Sequence, residues 1–174
     1  IGLRQAFRHD RLADEGKKQE LAYRMWLERV NAAGGIDVGG RMMQVELVTY
    51  DYQSDGKRAQ QLAEKLITDD RVHVLPAPFG SGHTKIVAGV AERYGIPVIA
   101  AVASSESVYD QGFKGLFGTL APNAGLVDSM IHLFLDEQPS VKKVAILGRD
   151  DVFPKEMAEQ LRLKAPAAGL DVVY

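Results

Sequence analysis

Strand-like and helix-like segments alternate along nearly the whole chain, and this alternation limits the possible folds more than any other feature. Apolar residues recur at helical spacing in five segments. These predicted helices cover residues 16–33, about 57–68, about 85–94, about 126–137 and 154–165. The predicted strands between them cover residues 1–7, 42–50, 72–75, 97–101, 115–119, 143–147 and 170–174. The pattern predicts an α/β fold, a doubly wound parallel sheet with helices on both faces.

The predicted strand at 97–101 is apolar at consecutive positions, which is typical of a central parallel strand covered on both faces. In such folds the ligand lies beyond the carboxyl ends of the strands. We therefore expect function in the loops that follow Phe7, Tyr50, Leu75, Ala101 and Leu147.

Composition excludes several classes of protein. With 21 basic and 23 acidic residues, the chain has no positive excess that would favour nucleic acid. The absence of cysteine excludes disulfides, thiolate catalysis and cysteine-bound zinc. No segment reaches the roughly 18 apolar residues of a membrane-spanning helix. Because the chain begins with Ile1 and shows no signal sequence, we expect a processed or trimmed start.

The loop Pro76–Thr84 is the most informative segment for function. It follows a strand and leads into a helix whose first N–H groups have no partner in the helix and attract anions. Gly80 and Gly82 let a ligand approach the backbone, and Ser81 offers a hydroxyl. The segment predicts a binding site for a carboxylate or another anion. The alternative is an ordinary helix start capped by Ser81 or Thr84.

A second loop, Val102–Ser107, follows the next strand and is rich in serine. Because consecutive strands of such sheets are usually neighbours, we expect this loop to lie beside the first. Two adjacent loops with hydroxyls indicate the wall of a binding pocket; a serine-rich, solvated turn is the alternative.

The sequence supports a catalytic, nucleotide or metal site less well than a binding pocket. The loop lacks the full dinucleotide and phosphate-binding signatures, and Ser81 does not lie in the nucleophile motif of α/β hydrolases. His83 is too close in sequence to serve Ser81 as a base. His9 and Asp10, with Asp14 and Glu15, form only a fragment of a hard-cation site. We predict no catalytic residue, metal or cofactor.

The chain resembles the leucine/isoleucine/valine-type receptors, which are class I periplasmic solute-binding proteins of ABC transporters. The resemblance rests on a helix ending in NAAGG, a strand ending in YDYQSD, the loop PAPFGSGHT and the segment YGIPVIAAVASS. It implies two α/β lobes that close on a ligand outside the cytoplasm. It places residues 1–119 in the first lobe and 120–174 in a hinge crossing and an incomplete second lobe, so that the chain is about half of a receptor.

The resemblance also implies roles for individual residues. Ser81 resembles the serine that binds a ligand carboxylate, Val102 the residue whose carbonyl contacts a ligand ammonium, and Ser104 a second pocket hydroxyl. Phe153 resembles the aromatic residue that covers the ligand from the second lobe, and Glu15 stands where an aromatic residue is usual. Phe79, Gly80 and Ala103 complete the predicted wall.

The first loop departs from the family pattern, because Arg8 and His9 stand where small residues are usual. A cationic Arg8 favours an anionic ligand. The ligand class therefore stays open among amino acids, aromatic or other carboxylates, and amides. The expected partners are an ABC permease and a protein, such as a second copy, that covers the apolar helix around Leu126–Phe134. A sensory module on the same fold and a small hydrolase are the alternative functions.

Overall fold

A computed structural model describes residues 12–174 of the chain. The predictions on the strand 1–7, on Arg8 and on His9 and Asp10 fall outside these residues. The described helices are α1 (Ala13–Ala32), α2 (Gly56–Thr68), α3 (Ser81–Tyr94), α4 (Glu106–Tyr109), α5 (Asn123–Glu137) and α6 (Val152–Lys164), with a 3-10 turn at Pro166–Ala168. The described strands are β1 (Ile36–Val38), β2 (Arg41–Met43), β3 (Leu75–Pro76), β4 (Val98–Ala100), β5 (Leu116–Gly118), β6 (Lys143–Val144) and β7 (Asp171–Val172).

The main described sheet is parallel, with the strand order β3-β4-β5. Strand β6 pairs with β7 in a second parallel sheet, and Ile146 extends that pairing by donating to the Tyr174 carbonyl. Strands β1 and β2 form an antiparallel hairpin. The alternating order and the parallel pairing confirm the predicted fold class.

Two separate hydrophobic clusters divide the described residues into two units, which are called here the first unit and the second unit. The cluster of the first unit packs α2 and α3 on β3–β5 and includes Leu66, Leu75, Val87 and Val98. The cluster of the second unit joins α5, α6 and β6–β7 around Val127. The separation supports the predicted boundary near residue 119, which stays a prediction.

Helix α2 shows how local sequence sets an element. The Asp55 side chain accepts a hydrogen bond from the Arg58 backbone N–H at 2.7 Å and so caps the helix. One face, formed by Ala59, Ala63, Leu66 and Ile67, is buried against the sheet and α3, as the apolar spacing predicts.

Several predicted details are wrong. Ile99 of β4 is 43% exposed, so this strand is not covered on both faces, although Val98 and Ala100 on its other face are buried. A run of apolar residues predicts burial but cannot show what covers each face. Helix α4 and strand β1 were not predicted, and α5 begins at Asn123, three residues before its predicted start at about residue 126.

Two helices present apolar faces to solvent. On α5 the buried apolar residues are Val127 and Ile131, whereas the apolar face around Leu126–Phe134 is exposed, with Leu133 at 64%. This exposure was expected around Leu126–Phe134 and is confirmed. On α1, the large apolar side chains of Met25 and Trp26 are also exposed.

Candidate functional site

The two candidate loops lie next to each other because β3 and β4 are parallel neighbours. Ser81 is the first residue of α3, and its hydroxyl oxygen accepts a hydrogen bond from the Ser105 backbone N–H at 3.4 Å. Ser81 and Ser104 are 2% and 3% exposed. The predicted adjacency of the loops is confirmed, and the alternative of a solvated serine turn is wrong for Ser105, which is buried.

The N-terminus of α3 has no side-chain cap from the described residues. Gly80 occupies the cap position with φ +91, a conformation that L side chains rarely adopt, and it has no side chain to offer. Thr84 instead donates its hydroxyl to the Pro78 carbonyl at 3.1 Å. The alternative of an ordinary start capped by Ser81 or Thr84 is therefore wrong, and the first N–H groups of α3 remain suited to an anion.

Ser104 is attached to the start of α5. Its hydroxyl donates to Asn123 Oδ1 at 2.9 Å, and the Asn123 N–H donates to the Ser104 carbonyl at 2.9 Å. Asn123 is fully buried. Sequence analysis did not select Asn123; an amide at the first position of a helix after a proline was the available signal, and it indicates a helix start rather than a site.

The second unit meets the first at the N-terminus of α6. Asp151 caps α6 by accepting from the Val152 N–H at 2.7 Å, and it also binds Arg149 at 3.0 Å. Val152 lies against Gly82, where an added Cβ atom would stand 3.3 Å from Val152 Cγ2. Phe153 follows in the first turn of α6 and is 38% exposed.

A cleft of about 550 Å³ lies between these two helix starts. Its first-unit wall includes Leu12, Ser54 and His83, and its second-unit wall includes Arg149 and Val152. The first turns of both α3 and α6 line this cleft, and the side chains of Lys85, Asp150 and Asp151 line it as well. The predicted pocket residues Ser81, Ser104 and Phe153 are not among its lining residues.

His83 is engaged away from Ser81. Its Nε2 atom lies 3.2 Å from the Ser54 carbonyl, and its ring packs on Tyr52 with a centroid distance of 4.9 Å. The Tyr52 hydroxyl in turn donates to the Phe79 carbonyl at 3.4 Å. These contacts give His83 a structural role in the wall of the cleft, and Phe79 takes part through its backbone.

The remaining predicted residues have separate positions. Val102 is half-buried, and Ala103 is buried, with its carbonyl accepting from the Tyr109 hydroxyl at 2.7 Å. Burial raises the pKa of Tyr109, which keeps this donor protonated. Glu15 lies half-buried in the first turn of α1. Arg8 falls outside the described residues.

The described residues offer no cluster of three metal-ligating side chains. Within that same part of the chain, no helix combines the length and the apolar character that crossing a membrane requires.

A sequence profile of the periplasmic binding protein family matches residues 11–174. Among curated proteins, the leucine-, isoleucine-, valine-, threonine- and alanine-binding protein of Pseudomonas aeruginosa is 25% identical over 161 residues. That alignment covers 92% of this chain and 42% of the relative. The chain thus spans less than half the length of this relative.

Solved structures share the fold. The substrate-binding protein of a branched-chain amino acid transporter from Streptococcus pneumoniae, in complex with isoleucine, has a TM-score of 0.79 and 26% identity. That match covers 94% of this chain and 45% of the other. A solute-binding protein from Rhodopseudomonas palustris, in complex with 3,4-dihydroxybenzoic acid, has a TM-score of 0.83 and 19% identity, covering 99% of this chain and 45% of the other.

These similarities confirm the resemblance and the fold predicted from sequence. They also confirm the predicted location, since the matched family is periplasmic and its members act outside the cytoplasm. The matched proteins are solute-binding proteins and not enzymes.

Proposed function

The chain belongs to the periplasmic binding protein family, and we propose that it is the ligand-binding part of a solute receptor that serves an ABC importer. The ligand is a small carboxylate or an amino-acid-like molecule. The observation that carries this proposal is the junction of Ser81 with the Val102–Ser107 loop at the uncapped start of α3. In the same helix start, Gly82 lies against Val152 of the second unit.

The geometry supports a carboxylate at Ser81. Its hydroxyl oxygen accepts from the Ser105 N–H, so its hydrogen can be donated to a ligand oxygen. The N–H groups of the first turn of α3 add further donors and partial positive charge. Val102, Ala103 and Ser104 form the neighbouring wall.

Closure of the second unit completes the site. The ligand docks first on the first unit, and α6 then covers it, with Phe153 in the first turn of that helix. A ligand that contacts both units stabilises the closed form in proportion to its extra affinity for that form. The permease recognises the closed form, and transport follows.

We propose no catalytic role for Ser81. A hydroxyl becomes a nucleophile when a base lies within hydrogen-bond reach. His83, two positions further along α3, contacts the Ser54 carbonyl instead. The role of Ser81 is binding.

We also propose that protein covers the exposed apolar faces of α5 and α1. Leu126, Met130 and Leu133 on α5 form a continuous apolar face in solvent, which is unusual for a monomer. A second copy of the chain is one partner of suitable chemistry. Light scattering of the purified protein tests this, and a monomer at all concentrations would contradict the homodimer.

Thermal unfolding with candidate ligands tests the receptor function. The protein, expressed from its whole reading frame, is heated with amino acids, aromatic acids, aliphatic acids and amides. A ligand at 100 times its Kd adds about 2.7 kcal/mol to the free energy of unfolding, which raises the Tm clearly.

The variant Ser81→Ala tests the site. It removes one hydrogen bond to a charged group and is expected to weaken the best ligand roughly 10- to 100-fold. Ser129→Ala is the control, because Ser129 is exposed on α5 and donates only to the Gly125 carbonyl of its own helix. No Tm shift with any ligand class, or equal binding by Ser81→Ala, would contradict the proposed function.

Import is tested separately. The ligand-loaded protein is added to vesicles that contain the importer, and ATP hydrolysis is measured. Stimulation by the loaded protein alone supports import; ligand binding without stimulation favours a sensory role.

A further inference from the structure

The first turn of α5 is bonded to the first unit. Pro122 precedes this helix and provides no side-chain cap. The Asn123 N–H donates instead to the Ser104 carbonyl at 2.9 Å, and the Ala124 N–H donates to Glu106 Oε1 at 2.9 Å. Backbone N–H groups at the start of a helix have no partner inside it, so acceptors of the first unit take the place of a helix cap here.

Glu106 suits this contact by its position and its charge. It is the first residue of α4, lies 18 positions before Ala124 in the chain and is half-buried. A carboxylate only accepts and a backbone N–H only donates, so the direction of this bond follows from the atoms themselves. The bond is strengthened because a carboxylate is a charged acceptor and the start of a helix is partly positive.

The segment that binds the start of α5 also binds the candidate pocket. Within residues 104–106, the Ser105 N–H donates to the Ser81 hydroxyl at 3.4 Å. On the side of the second unit, the Lys164 ammonium of α6 donates to the Ala124 carbonyl at 2.8 Å. Hydrogen bonds thus link the candidate pocket, the first turn of α5 and helix α6.

Among the described residues the two units share no apolar core. Their hydrophobic clusters are separate, and residues 117–122 of the chain that crosses between them are exposed. Units of a chain move relative to each other unless a large apolar interface holds them. The polar contacts at the start of α5 are therefore placed to set how the second unit meets the first.

We propose that Glu106 is a positioning residue whose carboxylate holds the first turn of α5 on the loop Val102–Ser107 and so sets the orientation of the second unit toward the candidate pocket. The inference goes beyond the proposed function, because Glu106 acts on the arrangement of the two units and contacts no ligand. It holds for any ligand that binds between the units.

Two conservative replacements separate the reach of the side chain from its charge. Glu106→Asp keeps the negative charge at the start of α4 but is one methylene shorter, so its carboxylate no longer reaches the Ala124 N–H. Glu106→Gln keeps the length and an acceptor oxygen but loses the charge. Asp55→Ala is the control, because Asp55 caps α2 inside the first unit and its loss weakens a helix start without touching the contact between units.

The test measures the distance between the units. The 174 residues contain no cysteine, so the exposed positions Gln60 on α2 and Glu159 on α6 take spin labels as Gln60→Cys and Glu159→Cys. The protein is expressed from its whole reading frame, with any cysteine beyond these residues replaced by serine. Pulsed electron paramagnetic resonance gives the distribution of label distances without ligand, and urea unfolding of the same proteins gives their stability.

We expect Glu106→Asp to broaden the distance distribution, or to shift its maximum by at least half the wild-type width, because the second unit is released from its anchor. Glu106→Gln and Asp55→Ala should keep the wild-type distribution, although Asp55→Ala unfolds at lower urea. An unchanged distribution in Glu106→Asp overturns the inference, since a local role in a helix start would change only the urea midpoint.

Two further outcomes also overturn it. An equal change in Glu106→Gln would show that charge and not reach is responsible, and an equal change in Asp55→Ala would show that the labels report general destabilisation. The measurement needs no ligand. A failure of every ligand class to bind therefore counts against the proposed function alone, and an unchanged distance in Glu106→Asp counts against this inference alone.

Discussion

Val152 of the second unit lies directly on Gly82 of the first, because Gly82 has no side chain: an added Cβ atom would stand 3.3 Å from Val152 Cγ2 and 3.6 Å from Asp151 Oδ1. This contact joins the N-terminal turns of α3 and α6. Ser81, a candidate pocket residue, precedes Gly82 in α3, and Phe153 follows Val152 in α6. Under the proposed function, this fit limits how closely the second unit can approach a ligand.

The replacement Gly82→Val should block this approach and weaken ligand binding. The two added methyl groups overlap the position of Val152, so the closed form loses stability and the dissociation rate rises. We expect at least about a tenfold loss of affinity, which corresponds to about 1.4 kcal/mol. Gly125→Ala in α5 is the control, since a Cβ there meets nothing within 4 Å. Unchanged affinity in Gly82→Val would show that the contact does not limit closure.

The replacement Phe153→Ala should weaken ligand binding without a large loss of folding stability. Phe153 is 38% exposed, and the proposed function places its ring over the ligand. We expect roughly a tenfold loss of affinity, because covering a ligand with an aromatic ring buries apolar area from both. Leu163→Ala, at the other end of α6 and 64% exposed, is the control. Calorimetry of both variants checks this, and equal affinities would remove Phe153 from the site.

The replacement Asp55→Ala should destabilise the first unit by about 1 kcal/mol through loss of the α2 cap. Asp55 accepts from the Arg58 N–H at the helix start. Asp69→Ala at the other end of α2 is the control, since a negative charge near a helix C-terminus stabilises little or nothing. Urea unfolding measures both; an equal loss in the two variants would contradict the capping role.

Alkaline pH should destabilise the protein. Burial raises the pKa of Tyr23 above its ordinary value of 10.0, although the hydrogen bond from Gln19 acts against this. Burial also raises the pKa of Tyr109. The folded state then binds more protons than the unfolded state above the ordinary pKa. Stability is therefore full below about pH 10 and declines as pH rises through the folded-state pKa values.

Urea unfolding at several values from about pH 8 to about pH 11 measures this decline. Tyr23→Phe removes one of the groups with a raised pKa and should make the decline shallower. A free energy of unfolding that stays constant or rises across this range would contradict the assigned direction of the pKa shifts.

The five longer helices were predictable from sequence because their signals are local, whereas the four-residue helix α4 was not predicted. The apolar spacing of Ala59, Ala63 and Leu66 identifies the buried face of α2, and Gly95 marks the end of α3. The adjacency of Ser81 and the 103–105 loop was also predictable, because consecutive parallel strands pair and their carboxyl ends meet at one edge.

The contact between Asn123 and Ser104 was not predictable from local signals. Ser104 is 19 positions earlier in the chain, and no periodic pattern links the two residues. The hairpin strand Ile36–Val38 was missed for a related reason, since three exposed residues give no alternation between buried and solvent positions.

The sequence by itself determined the alternation of the longer helices with strands, the parallel α/β fold and the loops that carry the candidate pocket, because periodicity, caps and breakers act within a few residues. Only the tertiary structure decided that Ile99 and the Leu133 face of α5 are exposed, that Asn123 holds the Ser104 hydroxyl, and that Val152 lies on Gly82. These features depend on contacts between segments distant in sequence, whose geometry is fixed by packing rather than by local preference.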